Sequence, residues 1–422
     1  MIVQGTVTVP GDKSITHRLL LLAALARGTS EIRNPLTSLD ARSSGAVLRR
    51  LGAEVSPLRS GRSVRVRGSG RFQSPDRHLD CGNSGTTARL LLGALAGHPF
   101  TATVTGDRSL RRRPMRRITM PLQRMGATVE DEGTDGLPVT ITGGSLRALR
   151  YEMPVSSAQL KGSLLLAGMV GEVSVAVREP VGRSRDHTER LLRSFGYSVT
   201  DDGGWIRFEP TGRLETFSVV VPGDVSSAAF LVGIALLSQG GQLRIAAVGL
   251  NPTRTHYLEV LRRMGAVVGI EEGTAQAGEP VGDLIVGPAA LSGVEVVAEE
   301  IPSLIDEIPM LAVLASRAQG TTVFREAGEL RVKESDRLGL LASNIRDLGG
   351  VAGVSGNDLV VEGAEYRPIG TVRTDGDHRL AMAFAVLGTV PDARVLVDNM
   401  ECANVSFPGF RPMLGTLGWR AS

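Results

Sequence analysis

Lysine occurs at only three positions, Lys13, Lys161 and Lys333, so 44 of the 47 Lys and Arg residues are arginine. The two cations differ in chemistry: a compact ammonium can exchange a proton when its pKa is shifted, and a guanidinium cannot. Each lysine sits in a polar stretch rich in Gly or Ser. Lys13 belongs to Asp12-Lys13-Ser14-x-x-x-Arg18, which brings Lys, Ser and Arg to one helix start. Lys161 closes Ser156-Ser157-Ala158-Gln159-Leu160-Lys161, and Lys333 opens Lys333-Glu334-Ser335-Asp336-Arg337. Three further clusters share this character: Gly82-Asn83-Ser84-Gly85-Thr86-Thr87, Asp306-Glu307 and Asp377-His378-Arg379. Arg113 stands before Pro114 in a local basic cluster, Arg111 to Arg117. Taken singly, Asn83, Ser157 and Asp306 read as helix caps and the arginines as a solvated face. Taken together, basic groups recur beside carboxylates. That pattern describes a cleft for a substrate with several anionic groups, with carboxylates available to move protons.

Nearly every cluster opens an apolar run, and the runs explain how the clusters are positioned. Residues 13–26, 83–96, 156–168, 226–237, 306–315 and 377–387 read as helices apolar all round, hence buried on all sides. The N-terminus of such a helix offers backbone N–H groups and a positive dipole end to an anion. A second pattern, aliphatic-x-x-(Leu/Met/Phe)-Gly, ends at Gly52, Gly126, Gly196, Gly265, Gly349 and Gly418. Aliphatic spacing of three, basic residues in most of the last turns and a closing Gly predict six amphipathic helices with left-handed caps. One unit of about 70 residues thus holds a buried helix, an amphipathic helix and several strands, and occurs six times. Val9-Pro10-Gly11-Asp12 recurs as Val221-Pro222-Gly223-Asp224, half a chain later. Three units therefore make a half. The two Pro-Gly-Asp turns are expected to be the crossings between a domain of residues 12–224 and one of 1–11 plus 225–422, with hinges near 11–12 and 223–225.

Composition narrows the class. A chain of 422 residues exceeds one ordinary core, and 42% hydrophobic with 4% aromatic residues describes a protein packed with Leu, Val and Ala. A formal charge of +3 without a dense basic tail argues against nucleic acid as partner. Cys81 and Cys402 are too few for a disulfide framework. The apolar run 19–26 is too short for a membrane span and carries no cleavage pattern. A cytoplasmic protein is expected.

In order along the chain, Gly11-Asp12-Lys13-Ser14, Gly82-Asn83-Ser84-Gly85-Thr86, Arg113-Pro114-Met115, Ser157-Ala158-Gln159-Leu160-Lys161, Arg185-Asp186-His187-Thr188-Glu189, Asn251-Pro252-Thr253-Arg254, Arg331 to Arg337 and Gly376-Asp377-His378-Arg379 carry a resemblance over the whole length. The chain resembles the 5-enolpyruvylshikimate-3-phosphate (EPSP) synthase family of enolpyruvyl transferases. Gly-Asp-Lys, Ser-Ala-Gln-x-Lys, Arg-x-His-x-Glu and Asn-x-Thr-Arg are similar to its class II branch. The resemblance implies an α/β fold of two inside-out α/β domains, each of three βαβαββ repeats. It implies transfer of the enolpyruvyl group of phosphoenolpyruvate to the 5-hydroxyl of shikimate 3-phosphate by addition and elimination, by a monomer with no cofactor and no metal. Shikimate 3-phosphate would be held by Lys13, Ser14, Arg18, Ser157, Ala158, Gln159, Arg185, Asp306 and Lys333. Phosphoenolpyruvate would be held by Lys13, Asn83, Gly85, Arg113, Gln159, Arg337 and Arg379. Asp306 is the candidate base, and Glu334 and Lys13 the candidates for proton delivery to the methylene and help to the leaving group.

Two residues depart from the pattern. Many family members carry Lys immediately before the Thr-Phe-Pro motif near the C-terminus, where this chain has Val405 before Ser406-Phe407-Pro408. Class II members that tolerate glyphosate can have Ala where this chain has Gly85. The nearest alternative is the sister transferase acting on UDP-N-acetylglucosamine, which uses a reactive cysteine in a loop near Arg113; no cysteine lies there. A non-catalytic anion- or RNA-binding protein would use the arginines, but few aromatic residues are present for stacking.

Overall fold

A run of apolar residues with no polar stripe can form a stable helix only inside a protein, so six such runs dictate an interior made of helices. The computed structural model describes residues 1–131 and 133–418. Its helices Lys13–Leu25, Gly85–Ala96 and Ala158–Gly171, and Val225–Leu236, Ile308–Ala315 and His378–Leu387, are buried along almost their whole length. The chain forms two compact units. The first comprises Gly11–Val221 with Ala275–Glu279; the second comprises Met1–Pro10, Pro222–Thr274 and the chain from Pro280. Each has its own hydrophobic core around three of the buried helices. The chain changes unit beside each Pro-Gly-Asp turn. It also makes one excursion that the pattern of repeats does not announce, the five residues 275–279.

The predicted amphipathic helices follow the buried ones: Leu39–Arg50, Arg116–Met125, His187–Ser194, His256–Arg263, Arg337–Asp347 and Phe410–Thr416. All six glycines expected to close them have positive φ: 90° at Gly52, 116° at Gly126, 87° at Gly196, 100° at Gly265, 95° at Gly349 and 92° at Gly418. A side chain at these positions would be strained, so the glycines stop the helix, and the first five release the chain into a strand within three residues.

Five four-stranded sheets share one topology. In the sheet nearest the start of the first unit, Arg27–Arg33 pairs in parallel with Ser218–Val220 and antiparallel with Val64–Ser69, which pairs antiparallel with Glu54–Val55. Among the described residues the sixth repeat has two parallel strands, Ile369–Val372 and Arg394–Val397. Residues of Val64–Ser69 alternate buried and exposed, so one sheet face meets the helices and the other meets solvent. Helices inside and sheets outside make each unit an inside-out α/β arrangement. The N-terminal strand Gly5–Thr8 pairs in parallel with Leu243–Gly249, and Gly5 lies opposite Leu243. Among the described residues no helix is long and apolar enough to cross a membrane.

Small residues let the buried helices approach closely. A Cβ on Gly93 would fall 2.0 Å from the carbonyl oxygen of Ser163 in the Ala158–Gly171 helix. Because that neighbour is backbone, Gly93→Ala should destabilise the first unit by about 2 kcal/mol or more. Gly144→Ala, where nothing lies within 4 Å of the added Cβ, is the control. Chemical denaturation followed by circular dichroism checks this; equal midpoints for the two variants would show that the helices can separate at little cost.

Candidate active site

The first turn of each buried helix has N–H groups that must find acceptors, and side chains supply them. Asp12 Oδ1 accepts from Ile15 N at 2.9 Å, Ser157 Oγ from Leu160 N at 3.4 Å, Asp224 Oδ1 from Ser226 N at 2.8 Å and Asp377 Oδ1 from Arg379 N at 2.9 Å. Two of the residues read as caps are not. Ser84, rather than Asn83, caps Gly85–Ala96, accepting from Thr87 N at 3.2 Å. The left-handed Gly82 (φ 57°) turns the chain just before this helix. Asp306 stands one residue before the N-cap position of Ile308–Ala315, which is Glu307, and its carboxylate is held by arginines.

In the first unit, Lys13 begins the Lys13–Leu25 helix and its ammonium is paired with the buried carboxylate of Asp40. Arg18 lies one turn beyond Ser14, donating from Nη1 to the Ser14 carbonyl at 3.0 Å and from Nε to Thr188 Oγ1 at 2.7 Å. Burial pulls the Arg18 guanidinium down to about 10, with Glu189 opposing, so it is still a cation at neutral pH. Between the two cations His17 is held neutral, pushed down to about 3 by burial, against Asp40 and with Lys13. Its Nδ1 shares a 2.7 Å hydrogen bond with Ser44 Oγ, which continues to Thr87 Oγ1 at 2.6 Å and from there to Ser84 Oγ at 2.7 Å. Arg185 is half-buried beside this group and helps to lower Arg18.

The third helix start is joined to the second by short side-chain bonds. Gln159 donates from Nε2 to Thr86 Oγ1 at 3.0 Å and accepts from Arg89 Nη1 at 2.5 Å. Asn83 accepts from Arg113 Nη2 at 2.7 Å while donating to Asp107 Oδ2 at 2.7 Å, so it orients the Arg113 guanidinium. A Cβ on Gly85 would lie 3.1 Å from Arg89 Nη1 and 3.3 Å from Arg113 Nη1. Lys13, Ser14, Arg18, Asn83, Gly85, Arg113, Ser157, Ala158, Gln159 and Arg185 thus belong to the N-terminal ends of the three buried helices and the loops beside them.

Lys161 proves to be a different kind of lysine. It is 1% exposed, with Nζ 2.8 Å from Glu189, 3.1 Å from Glu179 and 3.2 Å from the Ser184 carbonyl. Burial alone would lower its pKa, but Glu189 and Glu179 outweigh it and the ammonium is raised. Three donors meet three oxygens inside the protein, so Lys161 joins Ser-Ala-Gln-x-Lys to Arg-x-His-x-Glu as a structural ion pair. Arg254 of Asn-x-Thr-Arg is likewise enclosed, 2% exposed and near Asp224, Ser226 and Glu307.

In the second unit the charges are paired around Arg337, which is fully buried. Its Nε donates to Asp377 Oδ2 at 2.7 Å, its Nη1 to Asp306 Oδ1 at 3.3 Å, and its Nη2 to Glu334. Arg379 reaches the same Asp306, with Nη2 3.4 Å from Oδ2 and Nη1 3.1 Å from the backbone carbonyl. Lys333 is half-buried, and that burial lowers its ammonium although Asp306 and Glu329 pull the other way. Five of the predicted residues, Asp306, Lys333, Glu334, Arg337 and Arg379, therefore form one group. Val405, at the end of the short Met400–Val405 helix, brings no cation to it.

Sequence reasoning missed Asp40, Asp107, Arg89 and Thr188. Arg89 carried a usable signal, being the one charged residue of an otherwise apolar helix, and Thr188 stood inside the Arg185–Glu189 motif; Asp40 and Asp107 sit in unremarkable contexts.

A model of the EPSP synthase (3-phosphoshikimate 1-carboxyvinyltransferase) family matches residues 2–414. The chain is 48% identical over 411 residues to the 3-phosphoshikimate 1-carboxyvinyltransferase of Gloeobacter violaceus, covering 96% of this chain and 94% of that protein. It is 45% identical over 414 residues to that of Desulfitobacterium hafniense, covering 98% and 95%. The solved EPSP synthase from Acinetobacter baumannii superimposes with a TM-score of 0.85 at 37% identity, covering 99% of this chain and 96% of that one. With matching motifs, repeats and helix-start chemistry, these likenesses lead to one conclusion: the chain belongs to the EPSP synthase family.

Proposed function

We propose that the chain transfers the enolpyruvyl group of phosphoenolpyruvate to the 5-hydroxyl of shikimate 3-phosphate, releasing phosphate. The observation that carries the reading is the Asp306 carboxylate, 14% exposed and held by Arg337 and Arg379 in a group that also contains Lys333 and Glu334. A carboxylate can only accept, which suits the base for an attacking hydroxyl. The 5-oxygen bonds to the enol carbon of phosphoenolpyruvate as Asp306 takes its proton, and the methylene carbon gains a proton to become a methyl group. The methyl group then loses a proton while the carbon–oxygen bond to phosphate breaks, restoring the double bond. Glu334 and Lys13 deliver and remove the proton on carbon and assist the departing phosphate.

In this reading Lys13, Ser14, Arg18, Ser157, Ala158, Gln159, Arg185, Asp306 and Lys333 bind shikimate 3-phosphate. Lys13, Gly85, Arg113, Gln159, Arg337 and Arg379 bind phosphoenolpyruvate, bidentate guanidinium groups matching its carboxylate and phosphate. Asn83 acts through Arg113. The alternative acceptor, UDP-N-acetylglucosamine, is disfavoured because both cysteines are buried and neither lies near Arg113 in sequence; burial pushes the Cys81 thiol well up. Cytoplasmic location and a monomeric state fit the same reading.

Phosphate release from phosphoenolpyruvate should require shikimate 3-phosphate, and Asp306→Ala should lower kcat by about 10²–10⁴-fold. Calorimetry should still register shikimate 3-phosphate binding to that variant. Release with the nucleotide sugar alone, or full turnover by the variant, would refute the assignment. For Gly85→Ala, the added methyl presses on the Arg89 and Arg113 guanidinium groups. KM for phosphoenolpyruvate should rise with KM for shikimate 3-phosphate unmoved, and glyphosate should weaken more than phosphoenolpyruvate. Unchanged inhibition constants would mean that the glycine does not line this pocket.

A further inference from the structure

The excursion at 275–279 has no part in the reaction described above, yet it is built to deliver one side chain. Gln276 and Glu279 exchange both backbone bonds, N to O, at 2.9 Å each. The two residues between them, Ala277 and Gly278, have φ of 49° and 78°, the pair of left-handed conformations of a tight two-residue turn. Alanine seldom adopts that conformation, so the surroundings hold it there. The tip is received closely: Gly278 O accepts from Arg190 Nη1 at 3.1 Å, and a Cβ on Gly278 would lie 3.2 Å from the Arg190 carbonyl oxygen. Glu279 is then 1% exposed, with Oε1 2.7 Å from His187 Nδ1, itself 1% exposed. A carboxylate costs too much to bury without partners, and Glu279 has the His187 imidazole within hydrogen-bond reach and the Arg18 and Arg190 guanidinium groups in its field.

His187 is the first residue of the His187–Ser194 helix, and the next two residues are equally committed. Thr188 Oγ1 accepts from Arg18 Nε at 2.7 Å, and Glu189 lies 2.8 Å from Lys161 Nζ. Three consecutive side chains thus take partners from the excursion, from the Lys13–Leu25 helix and from the Ala158–Gly171 helix. Arg18 donates to Thr188 Oγ1 and to the Ser14 carbonyl, two bonds that set the plane of its guanidinium, and Arg185 lies two residues before His187. We propose that Glu279 is a positioning residue for shikimate 3-phosphate: by holding His187 it fixes the start of this helix, and through Thr188 the guanidinium of Arg18. The inference rests on the reading that Arg18 and Arg185 bind that substrate.

Two variants separate reach from charge in the full-length enzyme. Glu279→Gln loses the charge but still offers an oxygen to His187. Glu279→Asp keeps the charge but falls a methylene short. KM for shikimate 3-phosphate should rise about tenfold in Glu279→Asp and stay within about twofold in Glu279→Gln, with KM for phosphoenolpyruvate unmoved in both. A purely structural role would lower thermal stability without this split between substrates. Neither variant changing KM, equal rises in both, or a larger rise in Glu279→Gln would overturn the proposal while leaving the enzymatic reading intact. A wild type that releases no phosphate with shikimate 3-phosphate would overturn both.

Discussion

The start of a buried helix cannot be left bare. Its first N–H groups face no water, and its positive dipole end sits in a medium of low dielectric constant. Six helices of this protein are buried along almost their entire length, and the residues at their starts are correspondingly polar: Asp12, Ser84, Ser157, Asp224 and Asp377 as caps, with Glu307 before Ile308–Ala315. Four of these ends carry a cation within the first two turns, at Arg18, Arg89, Lys161 and Arg379. Interior helices therefore concentrate ionisable groups at their N-termini for structural reasons, and the candidate active site draws on groups the fold already needs there.

What distinguishes structural from chemical use is how completely a charge is enclosed. Lys161 spends its donors on Glu189, Glu179 and a carbonyl, and is shut off from solvent. Lys13 is 17% exposed, and its ammonium is paired with the carboxylate of Asp40 at the edge of the helix start. Arg337 is enclosed too, but two of the carboxylates it holds, Asp306 and Glu334, remain 14% and 22% exposed. A buried cation that orients partly open carboxylates is a means of presenting them. Removing it would leave those carboxylates uncompensated, which is far costlier than losing an exposed pair.

Much of this was legible in the sequence. Glycine at a helix end has one physical reason to recur at 52, 126, 196, 265, 349 and 418, and all six have the left-handed backbone that reason requires. Apolar runs without a polar stripe gave the interior helices for the same kind of reason. Within the site, Lys13, Arg113, Asp306 and Arg337 stood in motifs dense enough to notice. Asp40 and Asp107 did not: each is a lone carboxylate in an ordinary setting, brought to Lys13 or Asn83 by tertiary structure. Asn83 and Ser84 look alike in the sequence because either side chain can cap; in the structure Ser84 accepts from Thr87 N, while Asn83 is taken by Arg113 and Asp107. The rarity of lysine marked Lys13 and Lys333 but also Lys161, since a compact ammonium suits a three-oxygen cage in a core as well as a reacting phosphate.

In the proposed reaction Glu334 and Lys13 put a proton on a substrate carbon and take one away. Turnover of phosphoenolpyruvate and shikimate 3-phosphate in deuterium oxide, with mass spectrometry of the product, tests it most directly. A methyl group formed with one solvent deuteron keeps that label in a fraction of molecules when it loses a proton, so deuterium should appear in the enolpyruvyl methylene. Stoichiometric phosphate release with an unlabelled methylene would mean that the carbon is never protonated, and would contradict the account.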